Sequence, residues 1–388
     1  MDNISYSASV FALDARQIND AKKSQWIQVT LDAPVDREKL QKAVDQSVKA
    51  CPYVLYSLEK KEGRLYGHVK HSGTVPVLDH VPEKLDTEEN NGLLTAVCAQ
   101  GNTVTFLQSH CLTDGNGIFW FVRAVLDFYA GNEKTLYNGA TEPDFNRDPL
   151  AERLSEADTT EETAPPAKVF SRPETEMSFE EENLQYHASA EAFQKLYKSL
   201  HCSPQILLTA IAARAVQEAY PENTDTVSVR IPVNARAALE TPNTFQNSSL
   251  VNLRAELSPA ILQGTKTEEL LASIAEQMAA QNTKEATFHQ LNLWRDLLLE
   301  TDQALFYQKI QKMAGSDSMV VSYLGKALIP DEIAPYVTEI KEGIRMFPLM
   351  LYAVICGEKL EITVRDATGD GKMEQAMQDM LHGFGLIG

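Results

Sequence analysis

The chain has 388 residues, 44% of them hydrophobic and 23% charged, and a formal net charge of −19. That length is long for one core and natural for two domains. The negative balance argues against nucleic acid or an anionic membrane surface as a partner; an anionic cofactor can still be held by a local Arg or Lys group. No apolar run approaches a membrane span: the longest, 206–216 and 347–356, are short, and the first contains Arg214. Met1-Asp2-Asn3 does not open a basic region followed by an apolar stretch, so no signal peptide is expected. Cys51, Cys98, Cys111, Cys202 and Cys356 are widely spaced, odd in number and form no CxxC, which fits reduced thiols in the cytoplasm.

In chain order, a helix is predicted over 37–50, with Asp36 as N-cap and Leu40, Ala43, Val44, Ser47 and Val48 on its inner stripe. Cys51-Pro52 ends it. Strands are predicted over 53–59 and 64–70, turning at Glu62-Gly63. A hairpin follows, 93–99 and 103–110, about Gln100-Gly101-Asn102. On its second strand Val104, Phe106, Gln108 and His110 share one face by alternation. A helix is predicted over 117–129. From 139 to 182 the chain is rich in Glu, Asp, Thr and Pro without a helical or strand period, which reads as a partly mobile crossover. The domain boundaries are therefore 1–140, a linker 141–185, and 186–388.

The second half opens with a helix over 191–200. A cleaner one begins at Ser203 and Pro204, an N-cap followed by proline at the first helical position. A strand over 226–232, a helix over 267–281 and a strand over 319–323 ending at Gly325 follow. A last hairpin, 349–355 and 359–366, turns at Gly357 before a closing helix over 372–381.

The most informative stretch is His110-Cys111-Leu112-Thr113-Asp114-Gly115, at the end of an alternating run and before a helix. At a constant offset of 256 residues the layout recurs as Asp366-Ala367-Thr368-Gly369-Asp370-Gly371, with Asp in place of His. Gly101 falls on Gly357, Asp114 on Asp370, Gly115 on Gly371, and Val104 and Phe106 on Leu360 and Ile362. The chain reads as a duplicated sheet-and-helix lobe in which one fused chain does what a symmetric oligomer does elsewhere. Such a chain has little need of a partner and is expected to be a monomer. The remaining histidines show no metal-ligand spacing, so no metal is expected. Cys111 should point away from His110 and reads as a core thiol. The P-loop, dinucleotide, GxSxG and HExxH signatures are absent.

A strand ending in HxxxDG, in a chain of this length with two α/β lobes, resembles the chloramphenicol acetyltransferase-like superfamily, which includes alcohol O-acetyltransferases, plant-type acyltransferases and peptide-synthetase condensation domains. Ile231-Pro232-Val233-Asn234-Ala235-Arg236 resembles the I-P-V-N-x-R stretch of the alcohol acetyltransferase branch. Ser322-Tyr323-Leu324-Gly325 resembles its S-N-x-G segment. Ser109 stands where condensation domains usually carry a first His, the plant-type DFGWG segment is absent, and Tyr323 replaces the usual Asn. The resemblance implies an α/β fold of two similar lobes, mixed sheets covered by helices, with an active-site tunnel between them.

Acyl transfer from a thioester needs a base for the acceptor, a donor for the carbonyl oxygen and both substrates held in line. An imidazole near its reference pKa suits the first role, and His110 is assigned to it. The resemblance implies direct attack without an acyl-enzyme, makes Asp114 a structural support paired with an Arg (Arg16 and Arg236 are candidates), and makes Ser322 the oxyanion donor. Gly115 gives room for a tight turn or a cofactor arm. Asn234, Arg236 and Tyr323 are candidate substrate or cofactor contacts. The expected function is transfer of an acyl group from acyl-CoA to the hydroxyl or amine of a small acceptor. Its alternatives are a condensation or release enzyme fed by an acyl carrier protein through a phosphopantetheine thioester, and a non-catalytic CoA- or ligand-binding protein.

Overall fold

A computed structural model describes residues 21–61, 64–69, 73–110, 112–135, 168–175, 177, 179–234, 250–287, 289–290, 305, 317–345 and 347–388. The chain divides into two compact units. One is Met1–Glu156 with Ala235–Leu250 and Lys326–Arg345; the other is Ala157–Asn234 with Val251–Gly325 and Met346–Gly388. The linker boundaries at 141 and 185 do not anticipate that Lys326–Arg345 joins the first unit.

The first unit is built on strands β1 (Gln25–Leu31), β4 (Val77–Leu78), β5 (Thr95–Gln100), β6 (Thr103–Gln108) and β11 (Val337–Gly343), in the order β11-β1-β6-β5-β4. β5 and β6 form the predicted hairpin, β1 pairs antiparallel with β6, and β11 pairs antiparallel with β1. A Cβ on Gly343 would lie 2.7 Å from the Trp26 ring, so glycine lets that indole lie across the edge strand. One face of the sheet carries Ile27, Val29, Val104 and Phe106, all buried. It meets the helix Gly115–Ala130, where Phe121 stands edge-on to Phe106 at 5.9 Å. The helix Arg37–Ala50 packs beside it with Leu40 and Val44 buried, and Asp36 caps it by accepting from Lys39 N at 3.0 Å. Each such large apolar side chain contributes roughly 1.5–3 kcal/mol on burial. Where a strand was expected from residue 53, the chain makes a 3-10 turn, Pro52–Leu55; β2 (Tyr56–Lys61) and β3 (Arg64–Val69) then form a separate hairpin. Pro52 at the start of that turn cannot donate to a ladder.

The second unit has a six-stranded sheet made from β7 (Asn183–Ser189), β8 (Val227–Asn234), β9 (Leu250–Leu257), β10 (Met319–Lys326), β12 (Leu349–Cys356) and β13 (Lys359–Asp366). Their order is β7-β13-β12-β10-β8-β9. Its core joins Leu351, Ile362 and Val364 to Leu207 and Ile211 of the helix Pro204–Ala219 and to Met377 of the helix Lys372–Gly383. The end of the expected crossover is ordered: Val169 bridges Thr226, Thr175 N donates to Ala367 O at 2.7 Å, and β7 begins at Asn183.

The duplication is visible strand by strand. β5, β6 and the helix Gly115–Ala130 recur as β12, β13 and the helix Lys372–Gly383. Gly101 and Gly357 turn the two hairpins with the same left-handed φ of 59°, a conformation that glycine adopts without steric cost. β1 lies antiparallel beside β6 as β7 lies beside β13. The two-lobe α/β fold expected from the sequence is the fold observed. Among the described residues no helix is long and apolar enough to cross a membrane.

Candidate active site

β6 ends at Gln108, two residues before the predicted strand end. Ser109 N still donates to Leu94 O at 2.9 Å, but Leu112 N donates back to Ser109 O at 2.9 Å and closes a turn. His110 therefore sits in a turn beyond the ladder, not on a strand face. The imidazole remains half-buried. Its Nδ1 lies 2.9 Å from the carbonyl oxygen of Thr113. A carbonyl only accepts, so Nδ1 carries the proton and the lone pair of the neutral ring is on Nε2. Burial lowers the pKa of His110 below its ordinary value, against smaller upward pulls from the Thr113 bond and the charge of Asp114. The ring is thus neutral at neutral pH, with one proton, on Nδ1.

Asp114 is buried and caps the helix Gly115–Ala130; its Oδ1 accepts from Gly117 N at 2.9 Å. Capping by a carboxylate also complements the positive end of the helix dipole. The loop carrying His110 is thereby tied to a helix start. Gly115 is the first helical residue and has no positive φ. The glycine the geometry demands is Gly117, where a Cβ would fall 1.5 Å from Thr113 Oγ1. The sequence held a signal for it, since a second glycine inside a helix pattern costs stability without a packing reason. A further residue that sequence reading missed is Gln25 of β1, whose Nε2 donates to the same Thr113 oxygen at 2.8 Å.

In the second unit Ser322 and Tyr323 are consecutive on β10 and so face opposite sides of the sheet. Tyr323 packs towards the helices, its ring 6.1 Å from Phe193, and burial, with a smaller contribution from Tyr197, raises its pKa. Ser322 has the parity of Val320, which stands opposite Arg230 of β8. β8 runs on to Asn234, so Asn234 is an exposed strand end and not part of a following loop. Arg16, Cys111 and Arg236 lie outside the described residues. The structure brings His110, Asp114 and Gly115 together in one turn, and it separates Ser322 from Tyr323.

The second copy of the loop is tied up by its own side chains. Asp366 Oδ1 accepts from Thr368 N at 2.9 Å and from Thr368 Oγ1 at 2.7 Å. Asp370 pairs with Arg172 at 3.1 Å and accepts from the Tyr220 hydroxyl at 3.1 Å. No imidazole remains there, while the second motif carboxylate keeps a guanidinium partner.

No protein-family model and no curated protein matches the chain. Solved structures do. Polyketide synthase associated protein 5 from Mycobacterium tuberculosis matches at 15% identity and a TM-score of 0.63, over 98% of this chain and 97% of that one. The first condensation domain of the calcium-dependent antibiotic synthetase, in complex with a substrate analogue, matches at 13% identity and a TM-score of 0.66, over 99% and 96%. TRI101 from F. sporotrichioides, complexed with coenzyme A and T-2, matches at 10% identity and a TM-score of 0.63, over 97% of both chains. The protein has the two-lobe fold of the condensation-domain and chloramphenicol acetyltransferase-like proteins.

Proposed function

We propose that the protein transfers an acyl group from a thioester, acyl-CoA in the first place, to the hydroxyl or amine of a small acceptor. The observation that carries this reading is the bond from His110 Nδ1 to Thr113 O, which puts the basic lone pair on Nε2. In the step, Nε2 takes the acceptor's proton as its oxygen or nitrogen bonds to the thioester carbonyl carbon. The carbon–sulfur bond then breaks, and the proton passes from the imidazolium to the departing thiolate. Asp114 holds the loop by capping the helix. We assign Ser322 to the developing oxyanion, and Asn234 and Arg236 to substrate contacts; Tyr323, expected beside them, lies on the other face of β10 against Phe193 and is left out of that site. The working unit is read as a single chain in the cytoplasm.

The test supplies acetyl-CoA with a panel of alcohols and amines and follows release of free thiol. His110→Ala should lower turnover by about 10²–10⁴-fold; full activity in that variant overturns the assignment. A parallel arm with an acylated carrier protein addresses the second reading, a condensation or release enzyme. That reading draws support from the condensation domains among the similar structures. Binding of CoA without product in either arm would leave the non-catalytic reading.

A further inference from the structure

Behind His110 lies a row of buried polar side chains that packing does not explain. Thr95, Gln108 and Gln25 stand directly opposite one another across β5, β6 and β1. All three are buried. Thr95 Oγ1, both amide atoms of Gln108 and Thr113 Oγ1 have no hydrogen-bond partner among the described residues. Such groups cost stability. The second copy of the lobe shows that the frame does not need them. At the matching positions across β12, β13 and β7 it carries Leu351, Val364 and Leu184, opposed in the same register. Where the row is apolar, Asp366 replaces His110 and Gly369 replaces Thr113. One copy has both the polar row and the imidazole, and the other has neither.

The contact between them is the Thr113 carbonyl. It accepts from Gln25 Nε2 at 2.8 Å and from His110 Nδ1 at 2.9 Å. A carbonyl oxygen has two lone pairs, and these donors use both. If the peptide between Thr113 and Asp114 turned over, the Asp114 N–H would face the ring instead. Nδ1 would then have to accept, the proton would move to Nε2, and the ring could no longer take a proton there. We propose that Gln25, backed by Gln108 and Thr95, is a positioning residue that holds the Thr113 carbonyl towards His110 and so fixes which ring nitrogen is the base. This rests on the general-base reading of His110 and extends it to a residue 85 positions upstream on another strand.

The test reads the tautomer directly by ¹⁵N NMR of histidine-labelled protein, with His110 assigned by its loss in His110→Ala. The wild type should show Nδ1–H. Gln25→Leu, which borrows the second copy's residue, and Gln25→Met should show a mixture of tautomers. Turnover should fall about tenfold or more with KM unchanged, and the melting temperature should hold or rise. A tautomer that stays Nδ1–H in both variants, with a lowered melting temperature, would make the role purely structural and overturn the proposal while leaving the base assignment intact. A wild type found as Nε2–H overturns the base assignment itself. One measurement needs no variant: the Gln25 side-chain amide resonance should follow the titration of His110, and its indifference overturns the coupling.

Discussion

His110 owes its proposed chemistry to two neighbours on the backbone and one on a distant strand. Burial lowers its pKa below the ordinary 6.5, and the bond to Thr113 O only partly offsets that. A base must be unprotonated, so kcat/KM measured against pH should rise through a midpoint below 6.5 and be level across neutral pH. A midpoint above 6.5 would mean that the carboxylate of Asp114, not burial, governs the ring. The same shift has a sign for stability. Below 6.5 the unfolded chain takes up a proton that the folded ring resists, so the residue makes folding less favourable as the medium becomes more acid. His110 and Asp114 were legible in the sequence because motif spacing is local. Gln25 was not, because its link to the loop depends on strand register. Nor was the split between Ser322 and Tyr323 used, although strand alternation alone implies it.

At the scale of elements, the start of the helix Gly115–Ala130 is the tightest joint near the site. Gly117 has no room for a side chain against Thr113 Oγ1, and its carbonyl accepts from the Tyr53 hydroxyl at 2.9 Å. Gly117→Ala should destabilise the protein by about 1–3 kcal/mol, as overpacking does, and should move the loop that carries His110. Thermal melting and the thiol-release assay together check it; an unchanged melt would show that Thr113 yields freely. The long periodic elements were readable: the helix Thr267–Gln281 and the helix Arg37–Ala50 have the predicted ends. β1 and β11 were missed for physical reasons. β1 does alternate from Ile27 to Leu31, but Gln25 and Trp26 at its start, buried on opposite faces, blur the pattern. β11 reads Val-Thr-Glu-Ile-Lys-Glu-Gly, too polar to announce a strand, and its partner lies some three hundred residues earlier.

For the molecule as a whole, one buried acid ties stability to pH. Glu342 on β11 stands opposite Ile27, on the face that meets the helices. It is 4% exposed, its Oε1 has no hydrogen-bond partner among the described residues, and burial raises its pKa to about 8. Below about 4.5 folded and unfolded chains are both protonated there. Between 4.5 and 8 the unfolded chain loses the proton first, so stability falls as pH rises through that window. Glu342→Gln should therefore stabilise the protein at pH 7–8 by on the order of 2 kcal/mol, seen as a higher melting temperature, and change little near pH 4.5. An equal effect at both pH values would remove ionisation as the cause. At this scale the sequence was most informative, since matched glycines at a fixed offset announced the repeat before any strand was placed. It did not show that the first unit's sheet is completed from the second half of the chain.

That borrowed strand ties the front copy to the far end of the chain. The edge beside Trp26 is covered by Val337–Gly343. A fragment cut off before that strand would present a raw β-edge, which invites self-association.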